Sequence, residues 1–212
     1  GAHPESTGAE LSHEKGRDPR GVASAVRTAT TGRPGPVHLK LPSDIQEAEI
    51  TEDELTQYMP QEYRPTGRPQ GDPGLIEQAA SLLSSAKKPV IIAGNPARYS
   101  VDPAQLQELA ESTGIPVFTV EQARGLLDDE HPLCFGYADG ALNPTARRFR
   151  EADVALLLGK RLDHRYRYGG VFSDSAKIIQ ADPSAADIGR NRGVAARSEE
   201  RRVGKEGRSR WS

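Results

Sequence analysis

The sequence predicts an α/β protein: a doubly wound, mostly parallel sheet with helices on both faces, preceded by part of another α/β domain. Three observations carry this. Short apolar runs recur through the second half of the chain, amphipathic segments of helical period alternate with them, and Asp-Pro or Asn-Pro pairs open the segments between. Strand and helix alternating at this spacing call for a parallel sheet covered by helices.

The punctuation comes first. Asp18-Pro19, Asp72-Pro73, Asp102-Pro103 and Asn143-Pro144 each stand before an apolar-periodic segment. The acid or amide oxygen caps free backbone N–H groups, and proline at the first helical position has no N–H to leave unsatisfied. A helix is expected over 18–31. A second carries Leu75, Ile76, Ala79, Leu82, Leu83 and Ala86 on one side. A third begins at Asp102, with Gln105 completing a capping-box pattern. Its face is Leu106, Leu109, Ala110 and Thr113, and Gly114 stops it.

Four runs read as strands: PVIIAG (89–94), IPVFTV (115–120), DVALLLG (153–159) and AKIIQAD (176–182). They are continuously apolar, the pattern of strands buried on both faces. Before them, GRPGPVHLKLPSDI (32–45) reads as a turn and one strand. One helix and one strand make no core, so residues 1–47 read as the end of a preceding domain. Residues 48–71, acidic and then rich in Pro and Gly, read as a linker, and 72–195 as the sheet domain. Residues 196–212 are set apart as a non-native or disordered tail, because RSEERRVGKEGRSRWS lacks apolar periodicity.

Composition narrows the function. Hydrophobic residues are 35%, charged residues 27%, and 21 glycines with 16 prolines imply many loops. No apolar run approaches the ~18 residues of a membrane span, so no membrane partner is expected. The single cysteine, Cys134, permits no internal disulfide and points to a reducing, cytoplasmic setting. No Cys/His cluster has zinc spacing, and no metal site is assigned. With the basic tail set aside, nothing supports nucleic-acid binding. The chain opens on Gly1, and its one methionine is Met59, so a piece of a longer protein is expected.

The candidate site lies where LLLGKRLDHRYRYGG (156–170) leaves its strand. Open α/β sheets bind ligands in the crevice outside the carboxyl ends of their strands. Arg161 there can grip phosphate with its planar fork. Asp163 is spaced to orient Arg161 or Arg165, or to accept from a ribose hydroxyl. Gly94 ends the first strand and allows close backbone approach. Asp182 ends the last, where it can meet ribose or an adenine amino group, or cap a turn. His131 and His164 read as loop histidines, and Cys134 as a buried side chain. AGNPARYS lacks the GxGxxG fingerprint.

These residues also carry a resemblance. GRPGPVHLKLPSDI resembles the end of the N-terminal, pyrimidine-binding domain of thiamine-diphosphate enzymes of the acetolactate synthase type. AKKPVIIAGNPARYS, GIPVFTVEQARGLLDDEHPLCFG, EADVALLLGKRLDHR and AKIIQADPSAADIGRNR are similar, in order, to that family's central domain. The likeness spans about residues 18 to 195. It does not separate acetolactate synthases from 2-hydroxyacyl-CoA lyases, oxalyl-CoA decarboxylases or benzaldehyde-lyase-like carboligases.

The resemblance implies a fragment of a homodimeric or homotetrameric carboligase or lyase acting on 2-oxo acids or acyl-CoA thioesters. Thiamine diphosphate and magnesium would be bound mainly by parts absent here, so no catalytic residue is assigned and the fragment is expected to be inactive. The central domain would give structural support and hold FAD, ADP or nothing. Gly159, Arg161, Asp163 and Arg165 match the family's G-x-R-x-D-x-R loop; Gly94 and Asp182 match strand-end positions of the nucleotide site. Asn95-Pro96, Glu121 and Pro183 depart from that pattern and weaken the case for FAD. The alternative is a non-catalytic, nucleotide-binding Rossmann-like module.

Overall fold

The structure is a computed structural model, and it describes residues 9–11, 18–30, 35–49, 51–53 and 71–199. The chain divides into two compact units, Gly1–Pro69 with Arg202–Ser212, and Gln70–Arg201. In the first unit, strand β1 (Ala9–Leu11) pairs in parallel with β2 (His38–Lys40), and helices α1 (Asp18–Thr30) and α2 (Ser43–Gln46) accompany them. β1 has no counterpart among the sequence expectations; three residues are too few to show a period. The linker expected over 48–71 falls largely on residues outside those described.

The second unit is built on six parallel strands. They are β3 (Pro89–Ala93), β4 (Val117–Thr119), β5 (Cys134–Tyr137), β6 (Val154–Leu158), β7 (Lys177–Asp182) and β8 (Ala196–Glu199), in the spatial order β5-β4-β3-β6-β7-β8. The chain runs outward from β3 to β5, returns to β6 beside β3, and runs outward again. The order therefore reverses between β3 and β6.

β8 lies inside the stretch set apart as a tail. Ala196 to Glu199 pair with Ile179 to Asp182, Ala196 is buried, and Gln78 on the neighbouring helix donates to Ala195 O at 3.1 Å. An edge strand needs only one apolar residue facing inward, which is why its sequence looked aperiodic. The sheet domain thus extends to Glu199. Residues 200–212 of the expected tail lie outside the described residues.

The apolar strands are buried on both sides, with side chains alternating between faces. Ile91, Val117, Leu156 and Ile179 face one way. They meet α3 (Pro73–Ser84) and α5 (Pro103–Thr113) through Leu82, Leu83, Leu106 and Ala110, and the short α4 (Ala97–Ser100) adds Ala97. Asp72 and Asp102 cap these helices: Asp72 Oδ1 accepts from Gly74 N and Leu75 N, and Asp102 Oδ1 accepts from Ala104 N. Gly114 ends α5 at φ +68°. Ile76, placed on the core stripe, is half exposed.

Val90, Ile92, Phe118, Leu157 and Ile178 face the other way. Here the cover is not α-helix but 3-10 segments, Pro144–Glu151 and His164–Gly169. The four phenylalanines of the chain meet on this side. Phe118 packs edge-on against Phe149 at 4.8 Å, Phe149 stacks on Phe172 at 5.7 Å, and Phe135 lies 5.7 Å from Phe118. Aromatic area compensates for the short helical cover. Among the described residues no helix is long and apolar enough to cross a membrane.

Candidate functional site

The six strands of this sheet run parallel, so their carboxyl ends share one rim. Gly94, Gly159 and Asp182 stand at the carboxyl ends of β3, β6 and β7. Gly94 and Gly159 flank the point where strand order reverses, the place where open α/β sheets form their crevice. What fills it is backbone. Gly94 N donates to Leu158 O at 2.8 Å, and Gly159 N donates to Ala181 O at 2.7 Å. A Cβ on Gly94 would strike the Gly159 carbonyl and come within 2.9 Å of Lys160 Cα. One on Gly159, where φ is +61°, would come within 2.8 Å of Ala97 N and Pro96 Cβ. Both glycines make room for each other's loops.

The cations of the rim are matched to carboxylates. Arg161 Nε lies 2.9 Å from Asp187 Oδ2, not beside Asp163. The Asp163 carboxylate is already engaged: Oδ2 accepts from Lys160 Nζ at 2.9 Å, and Oδ1 accepts from Arg165 N at 3.1 Å, capping the 3-10 segment His164–Gly169. Of the roles open to Asp163, it bonds the Arg165 backbone rather than the Arg161 side chain, which pairs with Asp187. Arg165 Nη1 reaches Glu121 Oε1 at 2.6 Å across the mouth. Glu121 Oε2 accepts from Asn95 Nδ2 at 2.8 Å, and Asn95 Oδ1 accepts from Gln122 N at 3.2 Å. This chain of bonds straps together the loops after β3, β4 and β6.

Asp182 is fully buried, and its Oδ1 accepts from Ser184 N at 2.9 Å. Burial pushes its pKa up to about 6; the Ser184 N–H opposes, the nearby Asp187 carboxylate adds, and Arg161 opposes. Lys160 is buried too, with Nζ 4.4 Å from the ring centre of Tyr166. The Tyr166 hydroxyl donates to Ala138 O at 2.6 Å, and burial raises its pKa well above the usual phenol value. His131 Nε2 is 3.1 Å from Glu111 and Nδ1 accepts from Leu133 N, a structural histidine. Cys134 is half-buried rather than buried.

Sequence reasoning passed over four residues that hold this edge. Asn95 was read as a departure from a glycine-rich turn, yet it anchors Glu121. Gln180, buried within an apolar strand, donates to Lys160 O and Asp187 O and accepts from Gly189 N. Asp187 holds Arg161. Arg192 donates to the carbonyls of Gly169, Ser173, Asp174 and Ala176. A lone glutamine inside KIIQAD was the available signal, because an amide there requires polar partners.

Two clefts open elsewhere. A groove of about 870 Å³ lies at the amino ends of the strands, lined by Ile76, Leu83, Ile115 and Phe135 among others. A cleft of about 300 Å³ lies between the loop after β5 and the two 3-10 segments. Neither includes Gly94, Arg161 or Asp182.

A nucleotide fits this rim poorly as it stands. Lys160, Arg161 and Arg165 each already face a carboxylate, and the switch point is closed by the Gly94–Gly159 contact. A diphosphate there would meet guanidiniums whose charge is already matched, Arg161 by Asp187 through Nε and Arg165 by Glu121 through Nη1.

The doubly wound parallel sheet defines the class, and sequence comparison defines the family. The profile of the thiamine pyrophosphate enzyme central domain matches residues 76–199. The chain is 35% identical over 196 residues to an acetolactate synthase of Arthrospira platensis, covering 86% of this chain and 32% of that protein. It is 37% identical over 176 residues to a probable acetolactate synthase large subunit of Methanococcus aeolicus, covering 79% and 28%. It is 35% identical over 178 residues to the oxalyl-CoA decarboxylase of Escherichia coli K12, covering 82% and 30%. The chain belongs to the thiamine pyrophosphate enzyme family, through its central domain. It spans about a third of the length of these curated relatives.

Proposed function

We propose that the chain is the central-domain portion of a thiamine-diphosphate-dependent carboligase or lyase, working in a reducing, cytoplasmic compartment. Its substrates are 2-oxo acids or acyl-CoA thioesters, as the resemblance implies; relatives are named for acetolactate synthesis and for oxalyl-CoA decarboxylation. Thiamine diphosphate, with magnesium, supplies the carbanion-stabilising chemistry, and no residue of this chain is assigned to hold either. The enzyme is a homodimer or homotetramer. The role of this domain is structural support. FAD or ADP, if carried, sits at the rim of Gly94, Gly159, Arg161, Asp163, Arg165 and Asp182, where it competes with Asp187 and Glu121 for the two guanidiniums.

The family match over residues 76–199 supports the enzyme reading, and the pairing at the switch point supports the structural role: Arg161 with Asp187, Arg165 with Glu121, and Gly94 against Gly159. The test is flavin retention and nucleotide calorimetry on the full chain. After incubation with FAD and gel filtration, no flavin absorbance should travel with the protein. Any ADP binding should be unchanged in Arg161→Ala. Retained flavin, or ADP binding that Arg161→Ala abolishes, would overturn the purely structural role and make the rim a nucleotide site of the same enzyme family.

A further inference from the structure

We propose that the groove of about 870 Å³ at the amino ends of the strands binds an amphipathic monocarboxylate, a fatty acid of medium chain length. It lies at the other end of the strands from the rim of Gly94 and Arg161, and shares no residue with that rim.

Its apolar wall is left uncovered by the chain's own packing. Helix α3 carries Leu75, Ile76, Ala79, Leu82 and Leu83, yet none of its residues is fully buried. On the same face of the sheet, α5 buries Leu106 and Ala110. Ile76 is 51% exposed, and Phe135 on the edge strand β5 is 41% exposed. Both line the groove, together with Ala79, Ala80, Leu83 and Phe149. A concave apolar surface rimmed by charge marks a place where apolar matter docks.

Charge selects the sign and valence of the occupant. Lys87, Lys88, Arg148 and Glu151 line the groove. Glu151 engages two of the cations. Arg148 Nε donates to its Oε1 at 3.0 Å and Arg148 Nη2 to its Oε2 at 3.1 Å, while Lys88 Nζ donates to Oε2 at 3.1 Å. These bonds hold the Glu151 carboxyl ionised, its pKa lowered to about 2. Asp153, close by, is spent on backbone: Oδ2 accepts from Lys87 N at 2.7 Å and Oδ1 from Lys88 N at 2.9 Å. Those two bonds fix the loop before β3, so its lysines are in place before a ligand arrives. Among the described residues, Lys87 Nζ has no acidic partner. Three cations therefore face two carboxylates, and the one positive charge left over suits a monoanion. A phosphate dianion would leave a negative charge uncompensated.

Shape selects a chain. The lining passes from Pro89 through Pro116 to Phe135, across the neighbouring strands β3, β4 and β5. At ~4.8 Å between strands that is roughly 10 Å, before α3 adds its width. The volume falls within the range of small-molecule sites. An alkyl chain can follow this length and cover Ile76 and Phe135, which a compact polar acid cannot.

The test is calorimetric titration of the full chain with sodium octanoate at low salt. Saturable binding at a single site is expected. Octylammonium has the same chain and the opposite charge, and acetate has the head group without the chain; each should bind about tenfold more weakly or worse. Ala80→Trp fills the groove from an exposed position of α3. It should lower octanoate affinity by about tenfold with no change in melting temperature. Lys87→Gln should lower it by about fivefold, less at high salt, as for a screened surface charge. Arg98→Gln removes an exposed cation outside the groove and should leave affinity unchanged. The proposal is overturned by absent octanoate saturation, by equal binding of octylammonium or acetate, or by affinity untouched in both Ala80→Trp and Lys87→Gln. It is also overturned if sedimentation shows a dimer that Ala80→Trp dissociates, which gives the groove to a second copy of the chain. None of these readouts involves flavin or ADP at the rim, so failure here leaves the functional reading above standing.

Discussion

Arg161 Nε and Asp187 Oδ2 stand 2.9 Å apart and tie the loop after β6 to the loop after β7. The guanidinium side is 45% exposed and the carboxylate side 6%. Arg161→Ala should therefore cost about 1 kcal/mol, above the median for surface pairs because one partner is covered. Urea denaturation measures it. A midpoint identical to the parent's would mean that the pair holds nothing.

Asp182 gives a pH prediction. Its folded pKa of about 6 exceeds the ordinary aspartate value of 3.8 because burial disfavours its charge. Between those values the folded chain holds a proton that the unfolded chain has lost, so stability falls as pH rises. The contribution of the neutral carboxyl is complete below about pH 4 and gone by about pH 7. Over that window the parent should lose about 2–3 kcal/mol relative to Asp182→Asn, whose amide still accepts from Ser184 N. Denaturation of both proteins at pH 4.5 and pH 7 decides it; parallel pH slopes would refute the assignment.

The Gly94–Gly159 contact predicts an asymmetry between glycines. Gly94→Ala drives a methyl into the Gly159 carbonyl, and both loops must shift, costing about 2–4 kcal/mol. Gly114→Ala meets nothing within 4 Å and bears only the left-handed backbone cost, about 1 kcal/mol. Thermal melts of the two variants should rank them in that order.

Arg192 closes the segment between the last 3-10 turn of the aromatic face and β7 by donating to four carbonyls. Arg192→Ala should cost about 2–4 kcal/mol, since several partly buried acceptors lose their donor at once. Arg192→Lys should recover only part of this, because an ammonium has no planar fork to span them. Hydrogen exchange of residues 169–176 should accelerate in the alanine variant. Unchanged protection there would show that the loop is held by other contacts.

The sheet was legible because its signals are local. Continuous apolar runs ending in Gly94, Gly159 and Asp182 mark two-sided strands, and the Asp-Pro caps at 72 and 102 form as their chemistry requires. β5 and β8 were not legible. CFGY is half-buried and Ala196 is the one apolar residue of ARSE, so neither shows a period. The 3-10 cover of the aromatic face escaped for a related reason: PTARRFRE has the composition of a helix, and its tighter winding follows from packing Ala146 and Phe149 against the sheet.

Sequence by itself determined the class of fold, the family, and the gathering of Gly94, Arg161 and Asp182 along one rim. The family follows from the resemblance of ordered sequence blocks; the fold class and the rim follow from periodicity and capping, which act over a few residues. Only the tertiary structure decided who partners whom: Arg161 with Asp187, Arg165 with Glu121, Asp163 with Lys160. Ion pairing depends on distances between loops that the chain brings together from different strands, and nothing in linear spacing encodes them.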